Sequence, residues 1–129
     1  MKANELMIGD WLWYRGQFNA FPFKVEQITK RKVGYHAEPK ETRLHYLRLH
    51  EIEPIPLTID ILEKNGMELE DNNCGFFKED EGYDLELLVE NGHIWWSINY
   101  AEYTLIQLNF VHQLQNAIRL CCIDKEIIL

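Results

Sequence analysis

Serine is almost missing from this chain: Ser97 is the only one among 129 residues. A serine nucleophile would have to be that residue, and no Gly-x-Ser-x-Gly elbow surrounds it. Cysteine is also sparse. Cys74, Cys121 and Cys122 make no disulfide framework, and no Cys-x-x-Cys spacing occurs. Cys121 and Cys122, adjacent on a helix, point in different directions. Cys74 acting with a distant histidine would make a small hydrolase, but no neighbouring cation in the sequence activates that thiol. The seven glycines are scattered at turns, so no phosphate-cradling loop is present.

Metal-ligand spacing is missing too. His36, His45, His50, His93 and His112 form neither His-x-His nor His-Glu-x-x-His. Asp71-Asn72-Asn73 is like the opening of a calcium loop, but Gly75 follows too early and the bidentate glutamate is out of place. The carboxylates between Glu79 and Glu86 lie on an open hairpin face, with little of the desolvation that acid–base work needs. No cofactor, no metal and no enzymatic activity are expected. Apolar runs are only a few residues long, far short of a membrane span. Met1–Glu5 lacks the apolar core of a signal peptide. The expectation is a cytoplasmic protein with no membrane partner.

What is present begins with charge. The net charge of −8 is unevenly spread. Residues 1–56 carry 9 Lys+Arg against 7 Asp+Glu, net +2; residues 57–129 carry 4 against 14, net −10. Nine carboxylates fall between Glu68 and Glu90, opposed only by Lys78. Such a balance disfavours nucleic acid as a partner over long range. Binding would have to use the N-terminal half. There Lys30, Arg31, Lys32, Arg43 and Arg48, with Lys24 and Lys40, lie among Trp11, Trp13, Tyr14, Phe18, Tyr35 and Tyr46. Basic residues interleaved with aromatics can hold a single strand. Most of those aromatics are needed for the core of so short a segment.

Periodicity points to an α+β fold in one domain. Residues 1–56 read as short strands of a small SH3-like bent sheet or barrel. Phe21, Phe23 and Val25 alternate onto one face, Pro22 belongs on an edge, Lys30–Lys32 is a basic turn, and Gly34 allows a bend or bulge. Residues 57–129 read as a short helix, an antiparallel meander and a final packed helix. Thr58 is the expected N-cap of the short helix and Asn65-Gly66 its stop. The strongest local signal is Asn91-Gly92, a two-residue turn whose register opposes Val89 to Ile94, Leu87 to Trp96, Leu85 to Ile98 and Tyr83 to Tyr100 on an apolar face. The other face opposes Glu90 to His93, Glu86 to Ser97 and Asp84 to Asn99, with Leu88 opposite Trp95 as its one apolar pair. Tyr103–Leu108 reads as a further strand and Asn109 as the cap of a helix from Phe110 to Cys122. Ile127–Leu129 reads as an edge strand.

Leu88 and Trp95 on a polar sheet face require cover from the chain itself or from a partner. His112, Gln115, Asn116 and Arg119 share a helix stripe that would be either a solvated outer face or a recognition face. Leu88, Trp95, His112 and Arg119 are therefore the candidate interaction surface, for a protein partner or for self-association.

Three stretches also resemble a known pattern. Asn4-Glu5-Leu6-Met7-Ile8-Gly9-Asp10-Trp11 fits an N-E-L-x-I-G-[ND]-W opening. Pro54–Thr58 with Ile61–Gly66 fits P-I-P-L-T-x-x-x-L-x-x-x-G, and Val111–Asn116 fits V-H-x-L-Q-N. This combination, spread along nearly the whole chain, resembles a group of small uncharacterised proteins from gut Bacteroidetes and their phages or prophages. The resemblance implies a bacterial or phage protein and carries over no activity. Where that group's last helix ends rich in aromatics, this chain has Ile118-Arg119-Leu120-Cys121-Cys122. The leading expectation is a non-enzymatic interaction or accessory module; the second is nucleic-acid binding through the basic half.

Overall fold

The computed structural model describes residues 1–67, 74–77, 85–98 and 106–129. The fold is α+β, and the chain divides into two compact units, Met1–Ile55 and Pro56–Leu129.

The first unit is built from six short strands: β1 (Trp11–Arg15), β2 (Ala20–Lys24), β3 (Gln27–Ile28), β4 (Lys32–Tyr35), β5 (His45–Arg48) and β6 (Ile52–Pro54). They form two antiparallel three-stranded sheets, β2-β1-β6 and β3-β4-β5. A 3-10 turn, Leu49–Glu51, separates β5 from β6. The expected run of short antiparallel strands is present, but the strands do not close into a barrel. The run from Ala20 to Ile28 breaks at Val25-Glu26, whose amides leave one ladder for the other: Val25 donates to the Asp10 carbonyl at 2.9 Å and Glu26 to that of Gly34 at 2.8 Å. The 3-10 turn ends β5 before it can continue the pairing, so β6 pairs only with β1.

Alternation supplies the core of this unit. Leu12, Phe23, Val25, Val33, Leu47 and Ile52 are buried together with Leu6, and Met1, Phe21, Tyr14, Tyr35 and Leu49 pack on them. Pro22 takes its edge position opposite Trp13, where its missing N–H costs no ladder bond. Gly34 makes no bulge. It pairs regularly with Gln27 and Tyr46, and a Cβ there would meet Gln27 Cβ at 3.2 Å and Tyr46 Cε1 at 3.3 Å. The glycine is a close-approach position instead.

The second unit contains α1 (Ile59–Lys64), the four-stranded antiparallel sheet β10-β9-β8-β7, and α2 (Val111–Leu120) packed on β10. Its strands are β7 (Cys74–Phe77), β8 (Leu85–Glu90), β9 (His93–Ile98) and β10 (Ile106–Leu108). The Asn91-Gly92 hairpin has the expected register from Leu85↔Ile98 to Glu90↔His93. Asn91 and Gly92 have φ of 52° and 78°, the two positive values such a turn demands. The Tyr83–Tyr100 and Asp84–Asn99 pairs lie outside the described residues, as does the start of the expected Tyr103–Leu108 strand. Leu85, Leu87, Val89, Ile94, Trp96 and Leu108 are buried, as are Val111, Leu114, Ala117, Ile118 and Cys121 of the helix segment. Among the described residues no helix is long and apolar enough to cross a membrane.

Both helices stop in the same way. After α1 the Gly66 amide bonds the Glu63 carbonyl and Met67 reaches back to Leu62; after α2 Cys122 bonds Arg119 and Ile123 reaches back to Ile118. This is the paired bonding of a Schellman motif, with buried Met67 and Ile123 as its apolar anchors. The left-handed residue is Gly66 in one case (φ 85°) and Cys122 in the other (φ 56°). The helix over 110–122 therefore ends two residues earlier than its periodicity suggests. Its start also differs from expectation. Phe110, not Asn109, is the N-cap, and the Gln113 side chain accepts from both Asn109 N (2.9 Å) and Phe110 N (3.1 Å). A glutamine reaching back from the first turn satisfies the N-cap amide, the half of a capping box that needs no polar side chain at the N-cap itself. Thr58 does cap α1, accepting from Ile61 N at 3.3 Å.

The last residues do not form a strand. Ile127 is buried and Ile128 is bonded to the Asn65 carboxamide. One side chain substitutes there for a neighbouring strand.

Candidate functional site

The three motif stretches have structural work to do. Leu6 enters the first core, Gly9 (φ 92°) makes the turn, and Asp10 is fully buried, its carboxylate accepting from Met7 N at 2.8 Å. Pro56 bridges Phe110, and Leu57 N donates to the Asn109 carbonyl at 2.9 Å, so the second motif pairs with the approach to the third. Val111, His112, Leu114 and Gln115 of the third motif are all buried. These patterns describe turns, caps and core.

The expected recognition stripe on α2 is corrected by the same burial. His112 and Gln115 are each only 6% exposed, and the His112 ring stacks on Phe110 at 6.0 Å between centroids. Arg119 stays partly buried and donates to Asn116 Oδ1 at 2.9 Å. The stripe fails as a continuous surface because α2 is packed on more than its apolar positions: polar residues flanking Val111 and Leu114 are enclosed with them. Leu88 and Trp95 behave otherwise. They oppose each other at the centre of the four-stranded sheet, on the face turned away from Leu87, Val89 and Trp96, and both are half-buried. Gln107 follows Trp95 in the same cross-strand row, and its amide is 2.8 Å from His93 Nδ1. Glu86, Glu90 and His93 border the pair. Along β8, β9 and β10 this patch is an apolar pair beside polar neighbours, while on β7 the register sets Cys74 next to Leu88 and Phe76 next to Glu86.

The basic residues of the first unit are sorted by the fold. Lys30 and Arg31 occupy the β3–β4 turn, which closes where Thr29 N donates to the Lys32 carbonyl at 2.9 Å. Lys32 opposes Arg48 across β4 and β5, and Leu49 N donates to the Arg31 carbonyl at 3.1 Å. The four cations and His50 thereby surround an open pocket of about 590 Å³. Arg43 does not join them. It lies in the β4–β5 connection, where its carbonyl accepts from His36 Nδ1 at 3.1 Å. The aromatics do not line the pocket either. Tyr14 and Tyr35 pack on the core, Tyr46 donates to Gln27 Oε1 at 2.8 Å, Lys24 sits 5.8 Å from the Trp11 ring centroid, and Phe18 is 92% exposed in the β1–β2 turn. His50 and Met1 are pocket residues that sequence reasoning missed. The 3-10 turn that delivers His50 has no periodic signature.

Other titratable groups are dispersed. Glu41 accepts from His45 Nε2 at 2.9 Å and from Ala37 N at 3.1 Å; the hydrogen bond from His45, above all, holds its carboxyl below the usual glutamate range. Burial, then the Tyr14 and Glu41 charges, pushes the Tyr35 hydroxyl up. Burial likewise raises the Cys121 thiol, with the neighbouring Cys122 adding to it. Among the described residues no three His, Cys, Asp or Glu side chains come together as a metal site. The calcium-loop-like Asp71–Asn73 stretch lies outside the described residues; Cys74 is described only by its pairing with Leu88.

No family model, no curated protein and no solved structure matches the chain.

Proposed function

We propose that the protein is a non-enzymatic interaction module, of the accessory kind that bacterial and phage genomes encode, and that it docks a protein partner or a second copy of itself on the outer face of the β10-β9-β8-β7 sheet. The observation that carries this reading is the Leu88–Trp95 pair, half-buried at the centre of the sheet, with Glu86, Glu90, His93 and Gln107 beside it on β8, β9 and β10. A tryptophan opposed to a leucine is costly to leave in water and is well suited to anchor a contact, since aromatic anchors with a polar rim carry most interface energy. Glu86 and Glu90 give such a contact an acidic border and favour a partner with basic residues around an apolar pocket.

The test is sedimentation of the purified chain together with affinity capture, each done with wild type, Leu88→Ser and Trp95→Ser. A dimer, or a specific captured protein, that both substitutions abolish while the circular dichroism spectrum is kept supports the reading. A strictly monomeric wild type with no specific partner, or a partner retained by both variants, overturns it.

A further inference from the structure

We infer that the pocket in the first unit is a nucleotide site, with the phosphate held by Lys30, Arg31, Lys32 and Arg48 and the nucleoside resting on Met1 and Leu49. This site shares no residue with the sheet face and does not depend on the docking reading. Its cations come from two segments far apart in sequence, the β3–β4 turn and the end of β5, and the Lys32–Arg48 register forces them together. Two like charges directly opposed across strands are unfavourable unless solvent or an anion separates them. None of the lining residues is acidic, and among the described residues none of these four side chains is in an ion pair. An anion entering the pocket meets four cations against one nearby carboxylate, Glu51, which accepts from Arg48 N at 2.9 Å, and it can take charge-assisted hydrogen bonds to its oxygens.

The floor selects the class of anion. Met1 and Leu49 pack against the core of the unit and face the pocket as its apolar members. A volume near 590 Å³ is far larger than one phosphate needs and falls within the range of small-molecule sites. A ligand with an anionic end and a flat, weakly polar body uses both parts. A nucleotide is that ligand, and it also suits the net −8 charge of the chain: one phosphate bound locally avoids the long-range repulsion a duplex would meet.

The experiment is a titration of 15N-labelled full chain at low salt with three probes: AMP, inorganic phosphate and a short oligothymidylate. AMP is expected to shift the amides of Lys30–Lys32 and Arg48–His50. Arg48→Glu and Arg31→Gln are each expected to weaken AMP binding by about tenfold, the worth of a lost charged hydrogen bond. Lys40→Glu, an exposed residue that does not line the pocket, applies the same charge change as Arg48→Glu and is expected to leave affinity within about twofold, as a solvent-screened charge should. Tighter binding of the oligonucleotide than of AMP identifies a single strand as the source of the nucleotide; equal or weaker binding identifies the free nucleotide. Phosphate binding as tightly as AMP overturns the nucleotide assignment. So does a lack of shifts at these residues with both AMP and the oligonucleotide, or an equal loss in Lys40→Glu. The variant spectra show directly whether each has kept its fold.

Discussion

The Asn65 carboxamide and the Ile128 backbone hold each other through two hydrogen bonds of 2.7 Å, Nδ2 to the Ile128 carbonyl and Ile128 N to Oδ1. A third bond runs from Nδ2 to the Ile61 carbonyl at 2.8 Å, and Asn65 is 6% exposed. Lys64 also donates to the Leu129 carbonyl. The end of α1 thus pins the tail and keeps Ile127 in the core. Asn65→Ala should destabilise the second unit by about 1–2 kcal/mol, since it removes three hydrogen bonds to partly buried backbone groups. Urea denaturation measures that loss, and hydrogen exchange at the Ile128 amide should accelerate with it. Asn65→Asp should cost at least as much, because a carboxylate offers no donor to either carbonyl. Unchanged exchange at Ile128 in both variants would contradict this account.

The two Schellman stops give paired predictions of opposite sign. Cys122 holds a left-handed conformation that β-carbons oppose, so Cys122→Gly should stabilise the chain by up to about 1 kcal/mol after the extra chain entropy of glycine is counted. Gly66→Ala should destabilise by about 1 kcal/mol. Space is not the cause, since a Cβ at 66 meets only Lys125 Nζ at 3.7 Å. Thermal melts of the two variants, read against wild type, decide the matter.

The adjacent thiols should differ sharply in reactivity. Cys122 is exposed, whereas Cys121 is buried with its thiol pushed up, which lowers its thiolate fraction. Iodoacetamide at neutral pH should alkylate Cys122 in the native protein and Cys121 only after unfolding. Peptide mapping by mass spectrometry distinguishes them. Equal native rates would show that the end of α2 opens more readily than its packing implies.

The Glu41–His45 contact predicts an acid-side loss of stability. The Glu41 carboxyl is held below its ordinary value of 4.5, chiefly by the hydrogen bond from His45. A group depressed in the folded state contributes stability above its unfolded pKa and loses it as pH falls through the folded one. Glu41→Gln should therefore lower the melting temperature above pH 4.5, with the gap closing as pH drops further. The effect should be small, because the pair lies near the surface, with the Glu41 side chain 28% exposed, and is open to screening. A gap that widens on acidification would refute the assignment.

Local rules were enough for the hairpin, for the Thr58 cap and for the Gly66 stop. A period of two fixes which of Leu87 and Leu88 turns inward, and Asn91-Gly92 fixes the register, because both depend only on neighbouring residues. The charge division between the halves was equally legible. Other outcomes depended on residues distant in sequence. His112 and Gln115 look like a free polar stripe until the packing of α2 encloses them. Ile127–Leu129 has the composition of a strand, but the groups that hold it are the side chains of Asn65 and Lys64, more than sixty residues earlier. The basic residues were visible as a cluster, yet only the β4–β5 register and the 3-10 turn separated Lys30, Arg31, Lys32 and Arg48 from Arg43 and added His50. Sequence determined which backbone each segment prefers; long-range packing decided which side chains that backbone leaves exposed, because burial is a property of what lies across the fold and not of what lies next in the chain.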